Sequence, residues 1–209
     1  MRIVATDVGF SYGKRVIAEG LGLRISVGES IAIVGPSGVG KSTLLGLLGG
    51  AVRPTSGSVE LEGSSSPLID AVSWVFQTLN VLMDRSVIDN VELGALGDDI
   101  DRDTRRRRSV SALARVGLDD RVNEPVRTLS GGELQRVVIA RALASERAFI
   151  LADEPTGQLD TETTRAVTGM LTSVRKDRGV VIVTHDLEVA RHCDRVYRMD
   201  SGRLTETES

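Results

Sequence analysis

The chain has 209 residues, 41% of them hydrophobic and 26% charged, which allows a sizeable core and argues against intrinsic disorder. Its formal net charge of −3 gives no general attraction to nucleic acid or to an anionic membrane surface. The single cysteine, Cys193, excludes an intramolecular disulfide, and no apolar run reaches the roughly 18 residues of a membrane span. The N-terminus lacks the apolar stretch of a signal peptide, so we expect a chain that is neither secreted nor membrane-spanning.

Short apolar or alternating runs, separated by turn residues, occupy the first third of the chain. These runs predict strands over residues 4–10, 21–27, 30–34, 58–61 and 71–76. Leucines at helical spacing predict a helix over residues 41–49. A strand, a glycine-rich loop and a helix are therefore expected in succession around residue 35.

The pattern becomes mostly helical from about residue 78 to 127, and helices then alternate with strands. Helices are predicted over residues 87–96, 104–116, 133–144, 161–175 and 187–192, with Gly117 ending the second of them. Strands are predicted over residues 148–152 and 180–184, and a hairpin over residues 196–199 and 203–205. Buried strands alternating with helices indicate an α/β fold whose largely parallel sheet is covered on both faces.

A phosphate-binding loop is the clearest motif in the chain. Residues 35–42 match the pattern G-x-x-x-x-G-K-[ST] in full, between a predicted buried strand and a predicted helix. The glycines let backbone N–H groups converge on phosphate oxygens, Lys41 adds a positive charge, and the Ser42 hydroxyl can ligate Mg²⁺. The predicted nucleotide-binding residues of this loop are Gly35, Pro36, Ser37, Gly38, Val39, Gly40, Lys41, Ser42 and Thr43. A glycine turn that merely begins a helix is the weaker alternative, and the expected ligands are ATP and Mg²⁺.

Two carboxylates, Asp153 and Glu154, follow an apolar strand directly. We predict that this strand is the parallel neighbour of residues 30–34 and ends beside the phosphate loop. Asp153 would then reach the Mg²⁺, and Glu154 would polarise a water that attacks the γ-phosphate. An ordinary charged turn is the alternative.

Residues 129–136 read Leu-Ser-Gly-Gly-Glu-Leu-Gln-Arg, just before the helix that leads to Asp153. With this segment, the chain from Phe10 to about Gly202 resembles the ATP-binding subunit of ABC transporters. The resemblance implies a P-loop NTPase of ABC-ATPase type: a mostly parallel sheet core, an N-terminal antiparallel β part and an inserted helical subdomain. It implies one domain, residues 1–209, with core segments 1–77 and 137–209 and a helical subdomain 78–136 that ends in this signature motif.

The resemblance also implies roles for residues outside the phosphate loop. Tyr12 resembles the aromatic that stacks on adenine, with Phe10 as the competing candidate. Gln77 resembles the residue that contacts Mg²⁺ and the attacking water, and the region after it is expected to contact a membrane permease. His185 resembles the switch histidine on the γ-phosphate. The catalytic residues expected on this basis are Glu154, His185 and Gln77, and the metal-binding ones are Ser42, Gln77 and Asp153.

A second copy of the chain is expected to complete the site. Ser130, Gly131 and Gly132 resemble the residues that bind the γ-phosphate held by the other subunit of a head-to-tail dimer. A glycine-rich helix start is a second anion site in physical terms, and ATP between two copies would use both. Asp160 resembles the loop residue that communicates across this dimer. Gln158 stands where related proteins often carry Asn.

A run of arginines at residues 102 and 105–108 raises the alternative of nucleic-acid binding. Acidic residues precede the run and apolar residues follow it at helical spacing, so a solvated helix face is the preferred interpretation. Nucleic acid is accordingly not expected as a partner.

Residues 49–57 and 153–160 look like the lipoprotein-release and macrolide-export subgroup, whose ATPases drive permeases that export or extract lipoproteins, peptides or drugs. The location implied is cytoplasmic, on the inner face of the membrane through the permease. A cell-division ATPase that regulates wall hydrolases and an importer ATPase for a small solute remain alternatives. A soluble ATPase of DNA repair is disfavoured, because the chain has no long coiled coil. A soluble ATPase of translation is disfavoured, because the chain carries a single set of motifs. The permease contacts the substrate, so this chain does not specify it.

Overall fold

The backbone is organised around two sheets in residues 1–157 and 159–207, which the computed structural model describes. The strands are β1 (Arg2–Tyr12), β2 (Arg15–Ser26), β3 (Ser30–Val34), β4 (Ser56–Glu62), β5 (Val72–Val75), β6 (Phe149–Asp153), β7 (Gly179–Thr184), β8 (Arg195–Asp200) and β9 (Arg203–Thr207). The α-helices are α1 (Lys41–Leu48), α2 (Val87–Glu92), α3 (Arg102–Arg115), α4 (Gly131–Ala144), α5 (Thr161–Ser173) and α6 (Leu187–Ala190). Short 3₁₀ turns occupy Leu68–Ala71, Leu93–Ala95, Val126–Thr128 and Val174–Lys176.

The two sheets differ in strand direction. The smaller is antiparallel, with the order β2-β1-β4. The larger has the order β5-β6-β7-β3-β8-β9 and is parallel through β8, with β9 returning antiparallel as the expected hairpin. Strands β3 and β7 are buried along their whole length, as expected for parallel strands with both faces covered. The predicted α/β fold class is confirmed.

The strand order corrects one expectation. The strand that ends in Asp153 is not the neighbour of β3, because β7 pairs with both and lies between them. The three strands run in the same direction, so their C-terminal ends still share one edge of the sheet. That shared edge, rather than direct pairing, brings the carboxylates near the phosphate loop.

The larger sheet separates two apolar clusters, and alternate residues of one strand enter different clusters. In β3, Ala32 and Val34 pack into the cluster formed with α2, α3, α4 and α5. Ile31 and Ile33 pack into the cluster formed with α1 and the antiparallel sheet. This alternation follows from the period of two in a strand. Both faces of the sheet are thereby covered, and its C-terminal edge is the part left open to form a site.

The predicted helical subdomain, residues 78–136, contains α2, α3 and the start of α4. The helix predicted over residues 87–96 is α2 followed by a 3₁₀ turn, and the backbone of Gly94 in that turn lies against the Arg141 carbonyl. Gly117 ends α3 with a φ of 66°, as predicted. The expected subdomain boundary after residue 136 lies inside α4, so no break in the helix marks it.

The arginine run lies on α3, and Arg106 and Arg108 form ion pairs. Arg106 contacts Glu92 at 3.5 Å, and Arg108 contacts Asp98 at 3.5 Å and Glu146 at 2.5 Å. Asp101 caps the start of α3 by accepting from the Thr104 backbone N–H. In the part of the chain that the structure describes, no helix has the length and apolar character needed to cross a bilayer.

Candidate nucleotide site

A cavity of about 540 Å³ opens at the C-terminal edge of the larger sheet. Its lining residues are Tyr12, Arg15, Ile17, Ser37, Gly38, Gly40, Lys41, Ser42, Thr43, Gln77, Asp153, Glu154 and His185. Most of the predicted site residues therefore meet in one place. The predicted residues outside this lining are Gly35, Pro36, Val39, Ser130, Gly131, Gly132 and Asp160.

The phosphate loop takes its shape from glycine conformations and close packing. Gly38 and Gly40 have φ values of 76° and 113°, which favour glycine. A Cβ on Gly40 would lie 2.5 Å from Ile17 Cγ2, and one on Gly35 would lie 2.5 Å from the Met199 carbonyl oxygen. The loop thus turns tightly against β2 and β8 before α1 begins.

The start of α1 has free capacity for an anion. Gly40 is its N-cap residue, with no capping side chain, and the first turn contains no acidic residue. The first N–H groups of a helix lack partners within the helix and attract negative charge. A phosphate group would supply those partners.

Lys41 lies at the floor of the cavity and is only 7% exposed. Its Nζ donates to the carbonyls of Gly35 at 2.8 Å and Pro36 at 3.0 Å, and lies 3.7 Å from Glu154 Oε1. A buried cation held by its own loop is positioned to meet the phosphates of a nucleotide.

Asp153 has a carboxylate oxygen available for a metal. Its Oδ1 is buried and makes no hydrogen bond within the described residues. Burial raises the pKa of Asp153 above its usual range, the Ser42 hydroxyl opposes that rise, and the nearby Glu154 charge adds to it. An orphaned carboxylate oxygen beside a serine hydroxyl fits Mg²⁺, which takes few protein ligands and completes its shell with phosphates and water.

Glu154 connects Lys41 with His185. Its Oε2 lies 2.9 Å from His185 Nδ1 and accepts from the His185 backbone N–H at 3.3 Å. The backbone of Glu154 has a φ of 44°, which is strained for a non-glycine residue, and its N–H donates to the Val183 carbonyl at 2.8 Å. The side chain is 11% exposed, so the carboxylate is held in a fixed position at the cavity wall.

Tyr12, rather than Phe10, faces the cavity. The Tyr12 ring is 57% exposed and lines the opening, whereas Phe10 is partly buried against the core. The two rings meet edge to face, with centroids 4.9 Å apart, which holds the tyrosine in place. An exposed ring at the mouth of a cavity that the phosphate loop lines is suited to stacking on a base.

The signature residues lie elsewhere, on the exposed start of α4. Ser130 and Glu133 form a capping box, in which the Glu133 carboxylate accepts from the Ser130 backbone N–H at 2.7 Å. Gly132 approaches Thr163 at the start of α5, where Asp160 is the N-cap residue. Gln158, the departure noted above, lies outside the described residues.

Sequence reasoning missed Arg15 and Ile17 as cavity residues. Gly13 and Lys14 form the two-residue turn between β1 and β2, and Arg15 pairs directly with Tyr12 across it. A two-residue hairpin turn was the available signal, because it places the flanking residues opposite each other.

A phosphate loop between a buried strand and a helix, at the C-terminal edge of a parallel sheet, defines a nucleotide-binding protein of the P-loop class. A family model described as ABC transporter matches residues 18–157. The chain belongs to the family of ABC transporter ATP-binding proteins, as its resemblance to that family predicted.

Three similar proteins have different names. The uncharacterized ABC transporter ATP-binding protein YvrO of Bacillus subtilis is 39% identical over 90% of this chain and 87% of its own length. The macrolide export ATP-binding/permease protein MacB 2 of Aeromonas hydrophila is 42% identical over 89% of this chain, which spans only 30% of that protein. The methionine import ATP-binding protein MetN of Rhizobium etli is 38% identical over 96% of this chain, which spans 59% of that protein.

Solved structures give the same fold. The dimeric structure of MJ0796, described as a bacterial ABC transporter cassette, superposes with a TM-score of 0.84 at 31% identity and covers 99% of both chains. A second dimeric structure of MJ0796, in a post-hydrolysis state bound to ADP and Pi, also has a TM-score of 0.84 and 31% identity. It covers 99% of this chain and 98% of its own.

Proposed function

We propose that this chain binds Mg·ATP in the cavity at the sheet edge, hydrolyses it and drives a separate membrane permease. The observation that carries this proposal is the convergence of Lys41, Asp153, Glu154 and His185 on one cavity from three different elements and their following loops. Membership of the ABC transporter family and the likeness to a cassette bound to ADP and Pi support it.

Each side chain has a distinct task in this proposal. Lys41 exchanges its loop carbonyls for phosphate oxygens, and the N–H groups at the start of α1 bind the same phosphates. Glu154 accepts the proton of the water that attacks the γ-phosphate, and His185 orients that carboxylate through their 2.9 Å contact. Mg²⁺ would be held by Ser42, Asp153 and Gln77. Once bound, it would neutralise part of the phosphate charge.

A second copy completes the site. Ser130, Gly131 and Gly132 lie on the exposed start of α4 and do not line the cavity, so they are available to the γ-phosphate of a partner copy. Asp160 lies at the neighbouring start of α5, where it would communicate between the copies. The dimeric form of MJ0796 supports this arrangement. We assign residues 1–77 and 137–209 to the core of the nucleotide site and residues 78–136 to the helical subdomain.

The permease contact belongs to the region after Gln77. Exposed apolar side chains lie there or beside it, among them Phe76 at 42%, Leu82 at 48% and Met83 at 46% exposure. The name of the MacB relative joins an ATP-binding part and a permease, which supports a membrane partner. The function we favour is export or extraction of lipoproteins, peptides or drugs by that permease, with this chain on the cytoplasmic face of the membrane.

Import of a small solute is a second candidate. The methionine import relative aligns over 96% of this chain, a larger share than the macrolide export relative covers. Co-purification of the permease, followed by transport measurements in proteoliposomes with ATP on one side only, distinguishes the two. Substrate accumulating on the ATP side indicates an importer, and substrate leaving that side indicates an exporter.

The dimer and the catalytic role of Glu154 are tested together. We expect Glu154→Gln to bind Mg·ATP, to hydrolyse it at least a hundredfold more slowly and to elute as a dimer only when Mg·ATP is present. Glu146→Gln is the matched control, because Glu146 is 65% exposed in an ion pair with Arg108 outside the cavity. A Glu154→Gln protein that stays monomeric in saturating Mg·ATP contradicts the shared site.

A further inference from the structure

We propose that Arg15 contacts the phosphate chain of the bound nucleotide and sets its affinity. The inference rests on the proposed ATP site and adds to it a cation that lies outside the phosphate-loop motif. Arg15 begins β2, directly opposite Tyr12 across a two-residue turn, and it lines the cavity. The same turn therefore places an aromatic ring and a guanidinium at the mouth of the cavity.

The guanidinium already reaches the phosphate loop. Arg15 Nη2 donates to the carbonyl of Gly38, and Gly38 also lines the cavity. A Cβ on Gly38 would lie 3.9 Å from the same nitrogen. The side chain is exposed, so its remaining N–H groups are accessible to a ligand in the cavity. Arginine carries five donors in a planar fork, and one bond to a carbonyl leaves others for phosphate oxygens.

The charge balance of the cavity shows why a second cation matters. Asp153 and Glu154 contribute two carboxylates to the lining, and Lys41 already faces Glu154 at 3.7 Å. Arg15 makes no ion pair within residues 1–157 and 159–207. Without a metal ion, Lys41 alone leaves an excess negative charge among these four side chains, and Arg15 offsets it. The ligand class indicated is a nucleoside di- or triphosphate.

The test compares four single variants by calorimetric titration with Mg·ATP and with ADP. We expect Arg15→Ala to weaken both ligands roughly tenfold, the size of one partly exposed charge-assisted hydrogen bond. Arg15→Lys should keep most of the affinity, and Arg15→Gln should behave like Arg15→Ala. Lys14→Ala is the matched control, because it removes the same charge from an exposed residue that does not line the cavity.

Salt and turnover separate a phosphate contact from support of the loop. A phosphate contact predicts that the loss in Arg15→Ala shrinks as salt rises, and that KM for ATP increases while kcat is unchanged. If Arg15→Gln binds as tightly as the unmodified chain, Arg15 only supports the Gly38 carbonyl and the inference fails. Equal affinities for Arg15→Ala and Lys14→Ala also overturn it. Neither result affects the proposed function, which fails instead if Lys41→Ala retains full affinity.

Discussion

Helices α1 and α4 both have glycine at the N-terminal end, as the N-cap residue in α1 and as the first residue in α4. We propose a phosphate-binding role for both, yet their N-termini differ. Helix α1 follows Gly40 with no capping side chain and no acidic residue in its first turn. Helix α4 starts at Gly131 after a complete capping box, in which Glu133 accepts from the Ser130 N–H and hydroxyl at 2.7 and 2.8 Å. Arg121 contacts the same carboxylate group at 3.0 Å.

The difference indicates different readiness for an anion. Within the described residues, no side chain caps the first N–H groups of α1 and a buried lysine lies beside them, which suits this start to binding phosphate within one copy. At the start of α4, the Glu133 carboxylate accepts from the Ser130 N–H, and the Ser130 hydroxyl accepts from the Glu133 N–H, so these two N–H groups already have partners. We infer that α1 binds ATP first and that α4 contributes only when a second copy brings phosphate against it.

The largest effect is expected at α1. We predict that Lys41→Ala weakens Mg·ATP binding roughly a hundredfold or more, because it removes a buried cation that, on our proposal, would contact more than one phosphate oxygen. Calorimetry measures the affinity directly. Lys176→Ala is the matched control, because Lys176 is an exposed residue of a 3₁₀ turn. This variant should bind Mg·ATP as tightly as the unmodified chain does. Equal affinities for the two variants would show that α1 is not the nucleotide site.

The glycines at the two helix starts should respond differently to one added methyl group. Gly40→Ala forces a φ of 113° on alanine and places its Cβ 2.5 Å from Ile17 Cγ2, so we predict a loss of about 1–3 kcal/mol in unfolding free energy. A Cβ on Gly131 meets no atom of the described residues within 4 Å. Gly131→Ala should therefore leave stability unchanged or raise it by up to about 1 kcal/mol. Urea unfolding measures both.

The same Gly131→Ala change should prevent ATP-dependent dimer formation. A methyl group on the exposed start of α4 occupies the surface that we assign to the partner's γ-phosphate. We expect Gly131→Ala combined with Glu154→Gln to bind Mg·ATP with unchanged affinity and to remain monomeric in gel filtration. Dimer formation equal to that of Glu154→Gln alone is the opposing result, and it would place the signature residues outside the interface.

The local parts of the fold were predictable, and the order of the strands was not. Complete burial of β3 and β7 follows from their apolar runs, and Gly117 ends α3 as a C-cap glycine should. The position of β7 between β3 and β6 depends on packing between distant segments, which no local pattern records. Motif spacing still indicated the correct edge of the sheet, because the C-terminal ends of parallel strands lie on the same side.

The residues of the candidate site also differ in whether a local sequence pattern predicts them. Lys41, Asp153 and Glu154 lie in contiguous motifs, and all three line the cavity. Arg15 belongs to no motif and reaches the cavity only through its pairing with Tyr12 across the hairpin. The capping box of α4 was available in the spacing of Ser130 and Glu133 but is hidden inside the signature motif.

The smallest effect is expected from the carboxylate that fills the start of α4. Hydrogen bonds from the Ser130 backbone and hydroxyl lower the pKa of Glu133 below its usual 4.5, although burial acts against them, and Arg121 and Arg136 add to the decrease. A lowered folded-state pKa means that Glu133 stabilises the fold above about pH 4.5, and that this contribution is lost as pH falls through the folded-state value. We predict that Glu133→Gln costs about 1 kcal/mol or less at pH 7, and that its difference from the unmodified chain narrows below pH 4.5. Urea unfolding of both proteins across this range measures the difference, in which the titration of carboxylates that do not interact with Glu133 cancels. A gap that is constant with pH would mean that the Glu133 carboxylate does not cap the start of α4 as described.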